Sequence, residues 1–371
     1  MSAQTTHDQL PEPAEKVRIR PGLEALPAYV PGKPAADDGT RRFKASSNES
    51  PFPPVDAVRE AAITALDGSN RYPDMAALDL RAALGVQHGV DPAQISVSTG
   101  SVAVSGDLVR AVVGEGDEVV YAWRSFEAYP ILVGSHGGVS VQVPLTGAFE
   151  HDLEAMTGAV TERTRLIILC TPNNPTGPSL STEQIEEFLD RVPEDVVVAI
   201  DEAYREFHDP ATVAGTAGIF RRHGNVVLLR TFSKLQGLAG LRIGYAVAHP
   251  RLARALSQVT VPFGSSLPAQ AAALTSLRGE VQEELAGRAA WIRDERSRVT
   301  AALSEQGWRL PDSQGNFVFF PLGEDSAAFA AFADERGLVL RAYGSDGVRA
   351  TIAEQEANDL LIKVAGAWRQ R

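Results

Sequence analysis

Lys234 has the sequence surroundings most indicative of chemistry. It lies in the run Leu229–Arg242, directly after an apolar segment, with hydroxyl side chains at Thr231 and Ser233 and an arginine eight positions further on. A desolvated amine flanked by cations has a lowered pKa and attacks carbonyl carbons, which is the condition for Schiff-base chemistry. The two hydroxyls and Arg242 are donors that suit a phosphate group. The run therefore predicts a lysine that binds an aldehyde carrying a phosphate.

Polar residues also follow two other apolar segments. Asp201 ends one of them, with Tyr204 three residues later, and Asn174 follows the segment that ends at Cys170. In a doubly wound sheet, ligands bind at the carboxyl ends of the strands. A carboxylate there would keep a pyridine nitrogen protonated, while an amide and a phenol would donate to a phenolate oxygen. Taken alone, the aspartate suits a helix N-cap and the asparagine a turn, but together with Lys234 they predict a pyridoxal phosphate pocket.

Two weaker signals complete this pocket. Gly100 turns a strand-like segment into a helix, so the N–H groups of Ser101 and Val102 are available to a phosphate at the helix N-terminus. Phe126 would stack on the cofactor ring, although an aromatic residue after a strand more often belongs to the core. Neither signal carries an assignment by itself.

Composition limits the classes of partner. The chain has 371 residues, 35 basic and 47 acidic, so a net charge of -12 gives it no positive field for nucleic acid. Its one cysteine, Cys170, excludes an internal disulfide and a cysteine metal site, and the histidines lack zinc-pair spacing, so we expect no metal. No apolar run reaches the roughly 20 residues of a membrane span. We expect a cytoplasmic protein with no membrane contact.

The elements that must position these residues alternate between strand-like and helical periods. Short apolar segments separated by amphipathic helices predict an α/β fold with a mostly parallel central sheet between two helical layers. After about residue 265, helices and three strand-like segments predict a smaller α+β domain. The predicted organisation is a disordered leader (1–16), an N-terminal arm that joins the small domain (17–50), a large domain (51–265) and a small domain (266–371).

The order of these residues resembles the fold-type I aminotransferases. The likeness runs over nearly the whole chain, and it is nearest to the branch with histidinol-phosphate and actinobacterial aromatic (phenylalanine) aminotransferases. Besides the site residues, the segments Leu26–Lys33, Ser46–Glu49 and Arg71–Asp74 match. The resemblance implies a three-layer αβα fold, pyridoxal 5'-phosphate, an amino acid and a keto acid as substrates, and a homodimer with shared active sites.

The resemblance also implies a role for each site residue. Lys234 would form the Schiff base and move the proton between substrate Cα and cofactor C4′, and Asp201 would pair with the pyridine nitrogen. Arg349 would bind the substrate carboxylate, or the phosphate of histidinol phosphate. Arg341, Tyr29 and Asn48 would complete the substrate site. The remaining cofactor contacts would come from Asn174, Tyr204, Phe126, Ser101, Val102, Thr231, Ser233 and Arg242, with Tyr72 reaching the phosphate from the neighbouring subunit.

The substrate stays open between several alternatives. Trp123–Glu127 and Tyr343–Gly347 resemble the phenylalanine branch, so we expect an aromatic amino acid and 2-oxoglutarate. Leu235-Gln236 and Gly264–Ser266 depart from common family segments, and Ala353-Glu354 does the same. Histidinol phosphate is the nearest alternative. More distant ones are a decarboxylase or lyase on this fold and a regulatory protein that binds the cofactor without catalysis.

Overall fold

The structure is a computed structural model that describes residues 19–24, 26, 28 and 41–371. The predicted leader and much of the predicted arm, including Tyr29, lie outside the described residues. The strands are β1 (Phe43–Lys44), β2 (Ile95–Ser98), β3 (Glu118–Trp123), β4 (Val139–Pro144), β5 (Thr164–Cys170), β6 (Val197–Asp201), β7 (Val226–Thr231), β8 (Gly244–Val247), β9 (Phe317–Phe320), β10 (Leu338–Val339), β11 (Arg341–Ala342) and β12 (Val348–Thr351).

Helices flank these strands along the whole described chain. They are α1 (Pro21–Glu24), α2 (Asp56–Ala65), α3 (Leu78–His88), α4 (Ser101–Val112), α5 (Ala128–Ser135), α6 (Leu153–Gly158), α7 (Thr182–Leu189), α8 (Thr216–Arg222), α9 (Pro250–Val259), α10 (Leu267–Ser276), α11 (Gly279–Glu305), α12 (Ser326–Asp334) and α13 (Gln355–Arg369). None of the helices in the described ranges is both long enough and apolar enough to cross a bilayer.

The central sheet has seven strands in the order β2-β8-β7-β6-β5-β3-β4. Strands β3 to β7 run parallel, and β8 is antiparallel to both of its neighbours, β2 and β7. β8 can reverse direction because the connection that follows β7, residues 232–243, contains only a single short 3-10 turn and no α-helix that crosses the sheet. The mostly parallel sheet is therefore confirmed. The carboxyl ends of β2, β3, β5, β6 and β7 share one edge.

Alternating side chains bury both faces of this sheet. Val120 and Ile167 pack on one face with α2, α3, α7 and α10, and their neighbours Val119 and Leu166 pack on the other with α4, α5 and α9. Burial on both faces explains why the strands are continuous apolar runs. These two faces give the three layers that the sequence predicted.

The described C-terminal part forms an antiparallel sheet of three strands, β11-β12-β9, which α11 and α12 contact. Its core is continuous with one face of the central sheet. The sequence predicted a single strand over 338–341, but the chain changes partner at Leu340: β10 pairs with β1, and β11 pairs with β12. The β1 pairing ties the segment just before Ser46 to this region. The domain limits given above remain a prediction.

Candidate active site

Two adjoining cavities lie at the carboxyl edge of the central sheet. The first has a volume of about 190 Å³ and the second about 150 Å³. They share Ser47, Phe126, Asn174, Tyr204 and Lys234. The rest of the first cavity is lined by Glu49, Ser101, Val102, Cys170, Asp201, Ala203, Ser233, Ala239 and Arg242. The rest of the second is lined by Ser46, Glu127, Arg341, Tyr343 and Arg349.

Lys234 stands where the two cavities meet. Its Nζ lies 3.3 Å from the carbonyl oxygen of Asn48 and 5.3 Å from the centre of the Tyr204 ring. Burial lowers the pKa of this amine to about 7, and the nearby positive charge of Arg349 acts in the same direction. A large fraction of the amine is therefore neutral at neutral pH, as a nucleophile or a base requires.

The polar end of the first cavity suits an anion. Gly100 has a φ of 93°, and a Cβ there would lie 2.5 Å from Nη2 of Arg242, so only glycine lets the guanidinium lie over the start of α4. No described side chain caps this helix, so its first N–H groups are open to a ligand. Nη1 of Arg242 lies 3.5 Å from Oγ of Ser233. Backbone donors, a hydroxyl and a cation thus converge.

Asp201 forms the opposite end of the first cavity. Its Oδ2 accepts a hydrogen bond of 2.6 Å from the Tyr129 hydroxyl, and its Oδ1 accepts one of 3.2 Å from the N–H of Ala203. Burial raises the pKa of Asp201, and both hydrogen bonds oppose this shift by stabilising the carboxylate. The remaining acceptor capacity of the carboxylate can take a cationic N–H from a ligand.

Asn174 and Tyr204 form a donor pair on the cavity wall. Arg349 donates to Oδ1 of Asn174, which leaves the Nδ2 amide group of Asn174 as the donor towards a ligand. Nδ2 of Asn48 donates to the Tyr204 hydroxyl oxygen at 3.0 Å, so the Tyr204 proton is available as well. Burial raises the pKa of Tyr204, which keeps that proton in place. Both groups suit an anionic oxygen.

The second cavity contains the two predicted substrate arginines. Arg349 is only 6% exposed, donates to the Ser46 carbonyl at 2.8 Å, and its Nε finds no hydrogen-bond partner in the described part of the chain. Arg341 pairs with Glu127 at 2.7 Å. The ring of Tyr343 lies between them, with its centre 5.5 Å from each guanidinium carbon. Arg349 thus has a nitrogen without a partner among the described residues, whereas Glu127 balances the charge of Arg341.

Three of the predicted site residues that the structure describes lie outside these walls. Thr231 donates to Oγ of Ser233 at 2.9 Å and so supports a wall residue from behind. Asn48 is fully buried and contacts Tyr204 and Thr351. Tyr72 is 81% exposed, with its ring 4.8 Å from that of Phe263, and Tyr29 is outside the described residues. All other predicted site residues line one cavity or both.

The fold brings to the site several residues that were not predicted from the sequence. Glu127 and Tyr343 lie inside segments quoted above, and Tyr129 lies two positions after one of them, yet nothing in their spacing relates them to Arg341 or Asp201. Asn173 was also overlooked: it accepts from Ser125 at 2.8 Å and donates to Thr176 at 2.8 Å, which fixes the loop that carries Asn174. No group of His, Cys, Asp and Glu in the described ranges has the arrangement of a metal site.

Comparison with known proteins agrees with this geometry. The sequence model of the family described as "Aminotransferase class I and II" matches residues 43–364. The "Aromatic amino acid aminotransferase" of Streptomyces coelicolor is 51% identical over 353 residues, which is 95% of this chain and 98% of that protein. The protein of the same name from Rhodococcus opacus is 49% identical over 358 residues, with coverages of 95% and 97%.

A solved structure of an aminotransferase also resembles this protein. The histidinol-phosphate aminotransferase of Sinorhizobium meliloti, determined in complex with pyridoxal-5'-phosphate, superimposes with a TM-score of 0.85 at 29% identity. The superposition covers 95% of this chain and 98% of that one. The resemblance and the fold expected from the sequence are therefore confirmed, and the chain belongs to the class I and II aminotransferases.

Proposed function

We propose that this aminotransferase uses pyridoxal 5'-phosphate and moves an amino group between an aromatic amino acid and 2-oxoglutarate. The observation that carries the proposal is the Lys234 amine, with its lowered pKa, at the junction of two cavities, one suited to the cofactor and one to a substrate. When bound, this cofactor supplies an electron sink for the charge that develops at the substrate Cα.

The residues of the first cavity fit this cofactor. The close approach of Arg242 to Gly100 and the open N-terminus of α4 suit its phosphate, with Ser233 as a further donor. The buried Asp201 carboxylate suits its ring nitrogen, and the donors of Asn174 and Tyr204 suit its phenolate oxygen. The other proposed contacts are Ser101 and Val102 at the phosphate, Phe126 on the ring face and Thr231 behind Ser233.

Lys234 would have two successive tasks. Its neutral amine would first hold the cofactor through the aldehyde carbon, with the carbonyl oxygen released as water. After the substrate amine had displaced it, the same Nζ would take the proton from the substrate Cα and return it at C4′ of the cofactor. A pKa of about 7 suits both directions of transfer at neutral pH. The position between the cavities gives one amine access to both atoms.

Arg349 would bind the carboxylate that every amino acid and keto acid substrate carries. Its guanidinium is buried and held by Asn174 and Ser46, so little side-chain freedom remains to be lost on binding. Its guanidinium lines the second cavity and can pair with the incoming carboxylate there. Because Arg349 also contacts Asn174, substrate binding and cofactor binding share one hydrogen-bonded unit.

The second cavity favours an aromatic side chain over a phosphate. The cations in the described lining of this cavity are Lys234, Arg349 and Arg341, and Glu127 balances the charge of Arg341. A dianionic phosphate that approached Arg341 would therefore also meet a carboxylate. The rings of Phe126 and Tyr343 offer apolar surface for an aromatic group. The names of the bacterial relatives support the same substrate class.

A homodimer would complete the site. Tyr72 and Phe263 form an exposed ring pair, and Met75, Val261 and Leu78 are also more than half exposed. Apolar groups exposed together on a soluble protein indicate an interface. We infer that a second copy covers them and that Tyr72 reaches the phosphate of its partner's site.

Two experiments test these proposals. The holoenzyme is mixed with phenylalanine, tyrosine, tryptophan and histidinol phosphate in turn, and kcat/KM is measured with 2-oxoglutarate as acceptor. A preference for histidinol phosphate would overturn the aromatic assignment.

For the dimer, Tyr72→Ala and Lys234→Ala subunits are mixed and allowed to exchange. Random reassociation should restore roughly a quarter of wild-type activity, since half of the dimers then contain one intact site. No recovery by subunits that do exchange would exclude shared sites.

A further inference from the structure

Tyr129 is a buried residue that none of the roles above includes. It lies in the first turn of α5, is 1% exposed, and its hydroxyl donates to Oδ2 of Asp201 at 2.6 Å. Its ring is perpendicular to Phe126, at a centre-to-centre distance of 5.5 Å. One side chain therefore contacts two groups proposed to hold the cofactor ring, Asp201 at the ring nitrogen and Phe126 on the ring face.

The chemistry of this contact constrains the state of Asp201. A phenol hydroxyl donates its proton, so the bond to Oδ2 is strong only while the carboxylate is ionised. Burial raises the pKa of Tyr129, and the negative charge of Asp201 raises it further, so the phenol keeps its proton. The Ala203 N–H is a second donor, at Oδ1. Both oxygens of a buried carboxylate thus receive donors that favour its charge.

From this geometry we propose that Tyr129 is a positioning residue that keeps Asp201 ionised and aimed at the ring nitrogen of the bound cofactor. The inference deepens the proposed function and rests on it. An ionised Asp201 stabilises a protonated ring nitrogen, and a protonated ring accepts electrons from the substrate Cα more readily. Tyr129 also fixes the direction of the carboxylate, because its own ring is held between Tyr121 and Phe126.

The chain offers a matched control. Tyr121 is fully buried, and its ring lies 5.6 Å from that of Tyr129 in an edge-to-face pair. Its hydroxyl accepts from the exposed Gln142 on the neighbouring strand. Tyr121→Phe thus removes one hydroxyl from the same aromatic pair and leaves the hydrogen bond to Asp201 in place.

The test compares Tyr129→Phe with Tyr121→Phe and the wild type. Loss of one hydrogen bond to a buried charge should weaken the affinity of the apoprotein for pyridoxal phosphate and lower kcat, each by roughly ten- to hundredfold. With cofactor labelled with ¹⁵N in the ring, the resonance should move towards the unprotonated pyridine. Tyr121→Phe should match the wild type in all three measurements.

The outcomes separate this inference from the proposed function. A wild type that binds pyridoxal phosphate at Lys234, with an unmoved ¹⁵N resonance in Tyr129→Phe, would overturn the inference alone. Equal losses in both variants would also overturn it, because they would reflect aromatic packing. A wild type that takes up no pyridoxal phosphate would overturn both.

A second variant covers the case in which Tyr129→Phe does not fold. Placing 3-fluorotyrosine at position 129 keeps the ring and the hydroxyl and makes the hydroxyl a stronger donor. We expect it to bind the cofactor at least as tightly as the wild type, with the ring nitrogen still protonated. Weaker binding with an unprotonated ring would overturn the inference.

Discussion

Replacing Arg349 by methionine should change both substrate affinity and the acidity of Lys234. Methionine fills much of the same volume without the charge. The guanidinium is 6% exposed and fixed by Asn174 and Ser46, so its contact with a substrate carboxylate is desolvated. Losing a contact of this kind costs about 2 to 5 kcal/mol, which corresponds to a rise in KM of roughly 30-fold to several-thousandfold.

The same substitution acts on Lys234 through charge. Arg349 is the largest cause, after burial, of the lowered pKa of about 7. Removing this cation favours the protonated amine, so the pKa should rise towards its ordinary value of 10.5 while burial still holds it below that value. At neutral pH a smaller fraction of the amine is then neutral, and the apoprotein should bind pyridoxal phosphate more slowly.

Two assays follow these effects separately. Steady-state kinetics give KM for phenylalanine and 2-oxoglutarate, and the absorbance change on adding the cofactor to apoprotein gives the rate of uptake between pH 6 and 9. Arg341→Met is the control, because it removes a cation from the same cavity that is paired with Glu127. It should leave the midpoint of the uptake profile unchanged. An unmoved midpoint and an unchanged KM in Arg349→Met would refute the reasoning.

Three further predictions concern other residues. The Lys234→Ala variant should fold but retain no cofactor after borohydride reduction. Reduction and peptide mapping of the wild type should find the label on Lys234. Turnover by the variant would contradict the proposed role of Lys234. Glu127→Gln should remove a carboxylate next to Arg341 and raise kcat/KM for histidinol phosphate by roughly tenfold relative to phenylalanine, the effect of about 1.4 kcal/mol. An unchanged ratio would show that Glu127 does not select the substrate. Burial lowers the pKa of His151 from 6.5 to about 4. Between these pH values the unfolded chain binds more protons than the folded protein, so the free energy of unfolding should fall by up to about 3 kcal/mol as the pH decreases through this range. His151→Gln should reduce that loss in urea titrations at pH 7 and pH 4.5, and equal losses in variant and wild type would exclude this histidine.

Much of the fold could be predicted because its signals are local. Apolar runs of strand length alternate with amphipathic helices, and each parallel strand places its last residue at the carboxyl edge of the sheet. Asp201 and Lys234 follow strands of this kind, so their common location depended only on the strands being parallel neighbours. The sequence predicts a helix over 101–113, and α4 spans Ser101–Val112, because Gly100 and the apolar periodicity after it fix its start and extent.

Local sequence signals could not predict the direction of β8 or the break between β10 and β11. Both depend on which strand becomes the hydrogen-bonding partner, and a short apolar run reads the same in either orientation. Thr231 shows a related limit: its place two positions before Ser233 predicts a phosphate contact, which stays a prediction, and only the structure shows that its hydroxyl donates to Oγ of Ser233. The alternation of side chains along a strand shows which face of the sheet each one lies on. It does not show how far a side chain lies from the cavity.

The sequence by itself thus predicted the cofactor chemistry and determined the layer architecture and the sheet edge at which the polar residues gather. Only the tertiary structure decided how those residues act on one another. Asn174 contacts Arg349 from 175 positions away, Tyr129 reaches Asp201 across 72, and Glu127 balances Arg341 across 214. The pKa of Lys234 and the charge of the substrate cavity follow from such distances and from burial, which arise when separate elements pack and which no local pattern contains.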